Sequence, residues 1–303
     1  MTTGNQIAGY RILMEVGQGA ASTLYAVQDP KSKQVWALKH VRKHTDKDQR
    51  FLDQVETEYV VGRKLRHPNI REVYRLIKHR KRFRVCEVSL LMELVDASSL
   101  DQRLPRTYSS AVSVFRHVAE ALDHMHDRGY VHADIKPSNI LVGEDDLVKI
   151  IDLGQSCPIG TVKTRIQGTP GYMAPEQAHR REVIPQTDVY NLGATMYWVL
   201  VRDVIPTAMP PKGDDSNGLY KGALDEELIE PPVPPIERNP RIHPLLSKLI
   251  LDCVEVETRK RPESMKIVAD RLDLIEKLLL NPPPPRESSM VDAADETTVF
   301  DER

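Results

Sequence analysis

The side chains with the clearest chemical potential lie in one stretch of the chain, VHADIKPSNILVGEDDLVKIIDLG. Asp134, Lys136 and Asn139 come before a short apolar run, and Asp152 comes directly after a second one. The turn-forming residues Gly143 to Asp146 separate the two runs, which predicts a β-hairpin. Because the ends of a hairpin lie side by side, we expect Asn139 and Asp152 to be close together.

Asn139 and Asp152 offer oxygen ligands of the kind that suit Mg²⁺, which keeps several waters and takes further ligands from phosphates. Asp134 would then be free to receive a proton. Lys136 would lie near a transferring phosphoryl group and offset its charge. The alternative is that these are ordinary turn residues of a hairpin. It would explain Asp and Asn singly, but it does not explain the spacing of the four residues. The pattern therefore indicates phosphoryl transfer assisted by magnesium.

The arrangement HxDxKxxN followed by DxG resembles the catalytic and metal-binding loops of eukaryotic-type protein kinases. The resemblance covers about residues 10–280 and is closest to bacterial serine/threonine kinases, with YRILMEVGQG, HADIKPSN and GTPGYMAPEQ as its strongest fragments. It implies that Asp134 accepts or orients the hydroxyl proton and that Lys136 stabilises charge on the γ-phosphoryl group of ATP. It also implies that Asn139 and Asp152 hold Mg²⁺.

The composition of the chain excludes some classes of protein. The 303 residues carry 42 Lys plus Arg and 44 Asp plus Glu, so the chain has no overall basic field for nucleic acid. The basic run KHRKRFR is expected at a hairpin tip, where solvated charges collect. Three widely spaced cysteines predict free thiols and a cytoplasmic location. The amino terminus does not resemble a signal sequence, and no apolar run is long enough for a membrane span.

Small residues punctuate the amino-terminal part of the chain. The sequence GQGAAS separates two β-rich runs, Tyr10 to Val16 and Thr23 to Gln28. Gly17, Gly19 and the small residues after them predict a tight turn whose backbone N–H groups can approach phosphates. Such turns are common and most bind nothing, so the turn by itself is weak support for a nucleotide site.

A third strand and a helix supply partners for this turn. In the strand VWALKHV, Ala37 and Lys39 share a face, so a flat ring has room beside a cation for its phosphates. Apolar residues recur at helical spacing from Asp48 to Leu65, which includes the approach to the sequence HPNI. The resemblance implies that an acid of this helix pairs with Lys39 and positions it against ATP. The alignment with HPNI favours Glu58 as this acid. Glu56 is the alternative, but it is explained more simply as a solvent-exposed charge on the helix.

The strand CEVSLLMELV leads into the junction between two predicted lobes. The resemblance implies that Met92 lines the back of an adenine pocket and that backbone groups of Glu93 to Val95 bind the base. Packing of Met92 in the core is compatible with that role. In full, the positions implied to contact the nucleotide are Val16, Gly17, Gly19, Leu24, Ala37, Lys39, Met92, Glu93, Val95, Asn139, Leu141 and Asp152.

Helical patterns dominate the second part of the chain. The expected helices are Ser109 to Gly129, one with Thr187 or Asp188 as its N-cap, His243 to Val254, and Pro262 to Leu280. The predicted fold is α+β and bilobal: a small antiparallel β-sheet lobe with one main helix, and a larger, mostly helical lobe.

The predicted boundaries follow from these patterns and from a change of composition near the end. They are 1–9 for an amino-terminal extension, 10–95 and 96–280 for the two lobes, and 281–303 for a disordered tail rich in Pro and acidic residues.

The segment GTPGYMAPE resembles the end of a protein-kinase activation segment, which forms a platform for a peptide. This implies a protein substrate rather than a small molecule. Lys136 together with Thr169 resembles the version specific for serine and threonine. The resemblance also implies that Asp188 anchors the backbone of the catalytic loop and that Arg261 pairs with Glu176 across the helical lobe.

Three positions depart from the family pattern. Ser22 replaces the third glycine of the phosphate loop, and Leu153 replaces the usual Phe of the metal motif. Ala133 stands where most regulated kinases carry an Arg that binds a phosphorylated activation segment through charge-assisted bonds.

Without that Arg, activity is expected to depend little on phosphorylation of Ser156, Thr161 or Thr164. Lys163 and Arg165, further along the same segment, are the alternative cations for a phosphate there.

Two further hypotheses concern partners and activity. Thr297 or Thr298, with acidic neighbours, resembles the phosphothreonine ligands of forkhead-associated domains. A pseudokinase that binds nucleotide and partners without phosphoryl transfer is the alternative to an enzyme. Loss of Lys39, Asp134 or Asp152 would support it, and none of the three is lost.

Overall fold

The fold divides into a strand-rich amino-terminal lobe and a helical carboxyl-terminal lobe. A computed structural model of the chain describes residues 6–19, 21–81, 83–205 and 231–281. Outside these residues lie Ala20 of the glycine-rich turn, most of the predicted extension, and the predicted tail with Thr297 and Thr298. Across the described ranges, no helix combines the length and the apolar composition that a membrane span requires.

A six-stranded antiparallel sheet forms the described part of the amino-terminal lobe, with the strand order β1-β2-β3-β4-β6-β5. Its strands are β1 (Gln6–Ile7), β2 (Tyr10–Gln18), β3 (Ser22–Gln28), β4 (Val35–Arg42), β5 (Val73–Lys81) and β6 (Arg84–Met92). In the part of this lobe that the structure describes, one long helix, α1 (Gln49–Gly62), connects β4 to β5 and packs against the sheet. The predicted small antiparallel lobe with one main helix is confirmed.

Strand β4 packs on both of its faces, because successive side chains of a strand point to opposite sides and both sides of β4 carry apolar residues. Ala37 and Val41 join a buried cluster with Leu52 and Val55 of α1. Leu38, between them, belongs to a second cluster on the opposite face of the sheet. The two clusters hold β4 from both sides of the sheet. They therefore fix the position of Lys39, which also lies on β4.

Helices build the carboxyl-terminal lobe. They are α2 (Tyr108–Asp127), α3 (Pro175–Ala178), α4 (Pro185–Val201), α5 (Pro235–Arg238), α6 (Pro244–Cys253) and α7 (Met265–Leu280). The middle of the lobe is α4, which is apolar nearly all round and is therefore buried on almost every side. Fully buried side chains from α2, α4, α6 and α7 form one continuous core, among them Phe115, Leu192, Leu249 and Leu272.

Short strands position the loops of this lobe, one before α2 and the others between α2 and α4. They are β7 (Ser98–Ser99), β8 (Tyr130–Val131), β9 (Ile140–Val142), β10 (Val148–Ile150), β11 (Cys157–Pro158), β12 (Thr161–Val162) and β13 (Glu182–Val183). β9 and β10 form the predicted hairpin, and β7 pairs with the other edge of β9. β11 pairs with β8, and β12 pairs with β13.

The start of α4 differs from the expected N-cap at Thr187 or Asp188. The helix begins at Pro185, because proline has a suitable φ for the first helical position and its missing N–H needs no partner there. Thr187 lies inside the first turn, where its hydroxyl accepts a hydrogen bond from Ile184 N at 3.1 Å. Asp188 is thereby freed from capping and is available for another contact.

The start of α7 also differs from the expectation. The helix begins at Met265 rather than at Pro262. Ser264 is the N-cap, and its Oγ accepts a hydrogen bond from Ile267 N at 3.3 Å. A serine cap of this kind satisfies one of the free N–H groups of the first turn, which explains why the helix starts after Ser264.

Two strand ends differ as well. β2 continues through Gly17 to Gln18, so the turn to β3 is shorter than expected. Irregular pairing at two places in β2 lets the ladder continue past the glycine. In the hairpin, β10 begins after Leu147, whose carbonyl accepts a hydrogen bond from Gly143 N at 2.9 Å and closes the turn.

Candidate active site

The loop that carries Asp134 is anchored by Asp188 in the first turn of α4. The buried carboxylate of Asp188 accepts hydrogen bonds from His132 N and Ala133 N, both at 2.8 Å. A ring nitrogen of His126 lies 2.9 Å from the same carboxylate. Ala133 has a φ of 62°, a left-handed conformation that costs energy for a residue with a Cβ and that these bonds hold in place. The predicted anchoring contact is confirmed.

Asp134 lies at the centre of a hydrogen-bonded group and is only 6% exposed. Thr169 Oγ1 donates to its Oδ1 at 2.9 Å, and Lys136 Nζ lies 3.2 Å from its Oδ2. Lys136 Nζ also donates to Thr169 Oγ1 at 2.7 Å. Gln155, which the sequence did not single out, reaches Oδ2 more weakly, at 3.5 Å. The carboxylate is thus held in one orientation beside a cation and a hydroxyl.

Asn139 joins Asp134 to the predicted metal site. Asn139 Nδ2 donates to Asp134 O at 2.8 Å and to Asp134 Oδ2 at 3.3 Å. Ile151 N donates to Asn139 O at 3.0 Å, so the hairpin places the next residue, Asp152, beside Asn139. Asn139 Oδ1 and Asp152 Oδ2 have no hydrogen bond to any residue that the structure describes. One amide oxygen and one carboxylate oxygen are therefore open to a ligand.

These two oxygens fit a hard divalent cation that binds together with phosphates. Among the described residues, no group of three or more His, Cys, Asp or Glu side chains could hold a metal ion. Mg²⁺ commonly takes one or two carboxylates from the protein and completes its octahedral shell with water and substrate phosphates. The donors present at Asn139 and Asp152 suit such an ion.

Lys39 on β4 connects the sheet, α1 and the end of the hairpin. Its Nζ lies 2.7 Å from Glu58 Oε2 and 2.9 Å from Asp152 Oδ1. Burial opposes the charge of Lys39, but the two carboxylates outweigh burial and raise the pKa of Lys39. The Lys39 ammonium in turn holds the pKa of Asp152 below its usual value, against the effect of burial. A raised pKa favours the charged form of a lysine, and a lowered pKa favours the charged form of an aspartate. Both side chains are therefore charged at neutral pH.

Of the two candidate acids on α1, Glu58 is the one that faces Lys39. Glu58 is 1% exposed, and its second oxygen lies 3.7 Å from Nη2 of the buried Arg71. Glu56 instead pairs with Lys78 at the surface, at 2.6 Å. The contacts agree with the choice of Glu58. They also add Arg71, which no local pattern in the sequence indicates.

The sequence HPNI ties the end of α1 to the hairpin. Ile150 N donates to Asn69 O at 2.8 Å, and Asn69 Nδ2 donates to Val148 O at 2.9 Å. Ile70 is buried and pairs with Ile150 in a parallel bridge. The strand that ends before Asp152 is therefore fixed against the amino-terminal lobe, a role of Asn69 that sequence reasoning missed.

A cavity of about 170 Å³ lies under the turn between β2 and β3. It is bounded by Gly19 and Ser22 above and by Lys39 and Asp152 below. Gly19 N donates to Ser22 O at 2.7 Å, and a Cβ on Gly19 would lie 2.8 Å from Ser22 Oγ. A Cβ at position 19 would therefore require the Ser22 hydroxyl to rotate away, and Ser22 itself stands where the family pattern has its third glycine. A cavity that ends at the Lys39 ammonium and at a carboxylate suitable for a metal ion suits phosphate groups that bind together with a divalent cation.

The residues implied to surround an adenine ring are apolar and differ in exposure. Ala37 and Met92 are partners across the β4–β6 pair, and both are buried. Val16 on β2 is exposed, and Leu24 on β3 and Leu141 on β9 are half-buried. Met92 is thus a core residue as well as a neighbour of Ala37, and the other three retain apolar surface for a ligand.

The segment after β6 presents backbone groups for the edge of a base. Glu93 N donates to Glu72 O at 2.9 Å, and the Glu93 carboxylate pairs with Lys149 at 2.8 Å. Glu93 O and Val95 N form no hydrogen bond with a residue in the described ranges. An acceptor and a donor two residues apart are therefore available, while the contact with Lys149 holds the segment in place.

The segment after Asp152 is held by the two short ladders β11–β8 and β12–β13. The side chain of Ala133 lies in a buried apolar cluster with Val131, Cys157 and Val183. Ser156 is also buried, and its hydroxyl lies 3.5 Å from a backbone carbonyl of the catalytic loop. Backbone pairing and apolar packing therefore order this segment next to Ala133.

Glu176 at the end of this segment forms the predicted ion pair with Arg261. Arg261 Nη1 and Nη2 donate to the two oxygens of Glu176 at 2.8 and 3.0 Å, and the side chains are 0% and 5% exposed. Thr187 Oγ1 donates to Glu176 Oε1 at 2.8 Å. The neighbouring Gln177, which the sequence did not single out, donates to Ala133 O at 2.8 Å. The pair and its neighbour therefore fix the segment against the catalytic loop.

Comparison with known proteins extends these observations. A family model for the protein kinase domain matches residues 10–272. An Aurora kinase of Eremothecium gossypii is 33% identical over 233 residues, which is 75% of this chain and 60% of that protein. The serine/threonine-protein kinase pkn3 of Myxococcus xanthus is 29% identical over 88% of this chain and 50% of its own length. The serine/threonine-protein kinase PknD of Mycobacterium tuberculosis (strain H37Rv) is 29% identical, over 82% of this chain and 36% of its own length. The chain thus spans between about a third and three fifths of these relatives.

Proposed function

The chain belongs to the protein kinase family, and on that basis we propose that it transfers the γ-phosphoryl group of Mg-ATP to serine and threonine hydroxyls of proteins. The observation that carries the proposal is the meeting of Asp134, Asn139 and Asp152 beside Lys39. A pseudokinase would need to keep this arrangement without using it. We propose residues 10–95 and 96–280 as the two lobes and the cytoplasm as the location, the latter because the three cysteines are free thiols.

Each side chain then has a role in the transfer. Asp134 accepts or orients the proton of the incoming hydroxyl, and Lys136 stabilises charge that develops on the transferred group. Lys39, held by Glu58, positions the phosphates. Asn139 and Asp152 would hold Mg²⁺, which would offset the negative charge of the phosphates. Most of the rate enhancement comes from positioning and electrostatics, since the loose transition state needs little covalent assistance.

The acceptor class follows from the segment that contains Thr169. Its hydroxyl bridges Lys136 and Asp134, which supports a site for serine or threonine side chains. The segment that continues to Glu176 supports a peptide platform, and a small-molecule acceptor would not require it.

The test is transfer of labelled phosphate from ATP with Mg²⁺ to a generic protein acceptor, followed by phosphoamino-acid analysis. Phosphoserine or phosphothreonine that disappears in Asp134→Asn supports the proposal. ATP binding without label transfer by the wild-type chain would favour the pseudokinase, and label on tyrosine would overturn the acceptor class.

The two acids of α1 provide a matched pair of variants. Glu58→Gln is expected to lower kcat/KM by about 10-fold, because a charge-assisted hydrogen bond worth about 1.5–3 kcal/mol becomes a neutral one worth about 0.5–1.5 kcal/mol. Glu56→Gln changes a surface pair and is expected to leave kcat/KM unchanged. Steady-state kinetics with varied ATP measures both. Equal effects of the two changes would count against the Lys39–Glu58 contact as the element that positions ATP.

We propose that activity depends little on phosphorylation of the activation segment. The position before Asp134 carries Ala133, whose side chain packs with Val131, Cys157 and Val183 and offers no cation for a phosphate. The two short ladders order the segment with unmodified side chains.

Alanine at Ser156, Thr161 and Thr164 together is therefore expected to leave kcat/KM within a few-fold of wild type. The segment is ordered by backbone pairing, and the changes remove only weak or exposed hydroxyl contacts. A fall by orders of magnitude, measured on protein that is free of phosphate by mass spectrometry, would overturn this part of the proposal and point to Lys163 or Arg165 as the phosphate-binding cation.

A forkhead-associated partner is proposed for Thr297 or Thr298, which have acidic neighbours in the sequence. Mass spectrometry after incubation with ATP is expected to find phosphate on at least one of the two threonines. If both remain unmodified, the hypothesis loses its basis.

A further inference from the structure

A groove of about 320 Å³ lies on the helical lobe, away from the active site. It is bounded by the loop 103–106, the first half of α2 and the closed end of the β9–β10 hairpin. The open end of the same hairpin carries Asn139 and Asp152, so the hairpin separates the groove from the predicted metal site. None of the roles assigned above uses the groove.

The groove has an apolar floor with a helical stripe along one wall. Ser110, Ser113, Val114 and His117 of α2 line it at spacings of three and four residues, which places them on one face of the helix. The floor and the remaining walls are formed by apolar residues that include Leu104, Pro105, Leu147 and Val148. A side chain of moderate size can therefore be buried there.

The rim of the groove carries two arginines, Arg103 and Arg106, and one acid, Asp146. Arg103 pairs with Glu144 at 2.6 Å, but both side chains are largely exposed. Arg106 is exposed and forms no ion pair with a residue of the described ranges. Burial and the neighbouring Arg116 lower the pKa of His117, so the positive charge at neutral pH comes from the two arginines. Arg106 is therefore the rim cation that has no ion pair among the described residues, and the groove fits a segment with an apolar anchor and a carboxylate placed against Arg106.

The chain leaves α7 beside this groove. Glu276 Oε2 accepts a hydrogen bond from Arg116 Nε on α2 at 2.8 Å, and Arg116 Nη2 lies 3.5 Å from a ring nitrogen of His117 in the groove wall. The last helical residue, Leu280, follows about one turn after Glu276. Four prolines come next in the sequence, and they cannot continue the helix.

The sequence beyond the helix has the required composition. Residues 282–303 contain six acidic and two basic side chains, a net charge of −4. Val299 and Phe300 are preceded by Asp295 and Glu296 and followed by two further acids. From Asn281, the intervening residues can span roughly 60 Å when extended, which is ample for a groove that starts beside α7.

We propose that residues 295–302 dock in this groove within the same molecule. Phe300 fills the apolar floor, and the flanking carboxylates face Arg103 and Arg106. A tethered segment has an effective concentration in the millimolar range, which favours it over a second copy or a separate acidic peptide. The proposal concerns binding only and does not depend on phosphoryl transfer.

A photocrosslinker tests the proposal in the full-length chain. Phe300 is replaced by p-benzoylphenylalanine, the protein is irradiated, and the crosslinked peptides are identified by mass spectrometry. We expect crosslinks in the monomer to fall mainly within residues 103–117 and 142–148. Arg103→Glu with Arg106→Glu is expected to lower their yield by about 3- to 10-fold. Arg80→Glu with Arg84→Glu, which changes two exposed arginines of the β5–β6 hairpin, is the matched control and should leave the yield unchanged.

The charge-swapped variant separates loss of docking from loss of folding. Changing Asp295, Glu296, Asp301 and Glu302 to Lys in the Arg103→Glu, Arg106→Glu background should restore the yield. Crosslinks confined to a covalent dimer would assign the groove to a second copy and overturn docking within one molecule. Crosslinks elsewhere on the surface, or a yield that the charge reversal leaves unchanged, would overturn the site itself.

Discussion

Asp134→Asn is expected to lower kcat by about 10²- to 10⁴-fold, the usual contribution of a positioned general base. The change keeps the size of the side chain, so the loop anchored by Asp188 should stay in place. It removes the charge that faces Lys136 and replaces one of the two oxygens that accept hydrogen bonds from Thr169 and Asn139 with an NH2 group. The loss should therefore fall on the chemical step. Steady-state kinetics with a protein acceptor, together with single-turnover rates, measures it.

Nucleotide binding separates this role from a general loss of structure. Asp134 forms no hydrogen bond with Lys39, and Asn139 keeps its shorter bond to the backbone carbonyl of residue 134 in Asp134→Asn, so the Kd for ATP should change by no more than a few-fold. Asp145→Asn in the exposed hairpin turn is the matched control and should leave kcat unchanged. A kcat near that of wild type in Asp134→Asn would contradict the assignment of the base, whatever the effect on ATP binding.

The catalytic loop and hairpin could be predicted from the sequence because their signals are local. The two apolar runs and the turn between them define β9 and β10 without reference to the rest of the chain. The position of Asn139 next to Asp152 follows from the hairpin itself. The partner of Lys39 could not be predicted from periodicity alone, because both Glu56 and Glu58 lie on α1. The alignment with HPNI was needed to choose Glu58 over Glu56.

Other features could not be predicted because they depend on contacts between distant segments. Arg71 becomes a partner of Glu58 only when α1 packs on the sheet, and Asn69 is recognisable only from its bonds to β10. The two-residue strands of the activation segment are too short for a periodic pattern. The left-handed conformation of Ala133 is imposed by Asp188 from α4, and no glycine marks it in the sequence.

The buried pair Glu176–Arg261 is where a single substitution should cost most stability. Glu176→Ala is expected to lower the free energy of unfolding by about 3–5 kcal/mol, because it leaves the Arg261 guanidinium buried without its counter-charge. Backbone carbonyls of Glu255, Gln186 and Val256 also accept hydrogen bonds from Arg261, at 2.6, 2.8 and 3.1 Å, but they carry no full charge. Equilibrium denaturation measures the change.

Two further variants identify the cause of that loss. Glu257→Ala removes an acid that pairs with Arg259 and Lys260 at the surface, and a small change is expected because exposed pairs are screened by solvent. Arg261→Met in the Glu176→Ala background removes the buried, unpaired charge of the guanidinium and fills its place with an apolar side chain. Part of the lost free energy of unfolding should therefore return. Recovery is limited by the three carbonyls that then lose their donor. If Glu176→Ala costs no more than Glu257→Ala, the pair does not anchor the activation segment to the helical lobe.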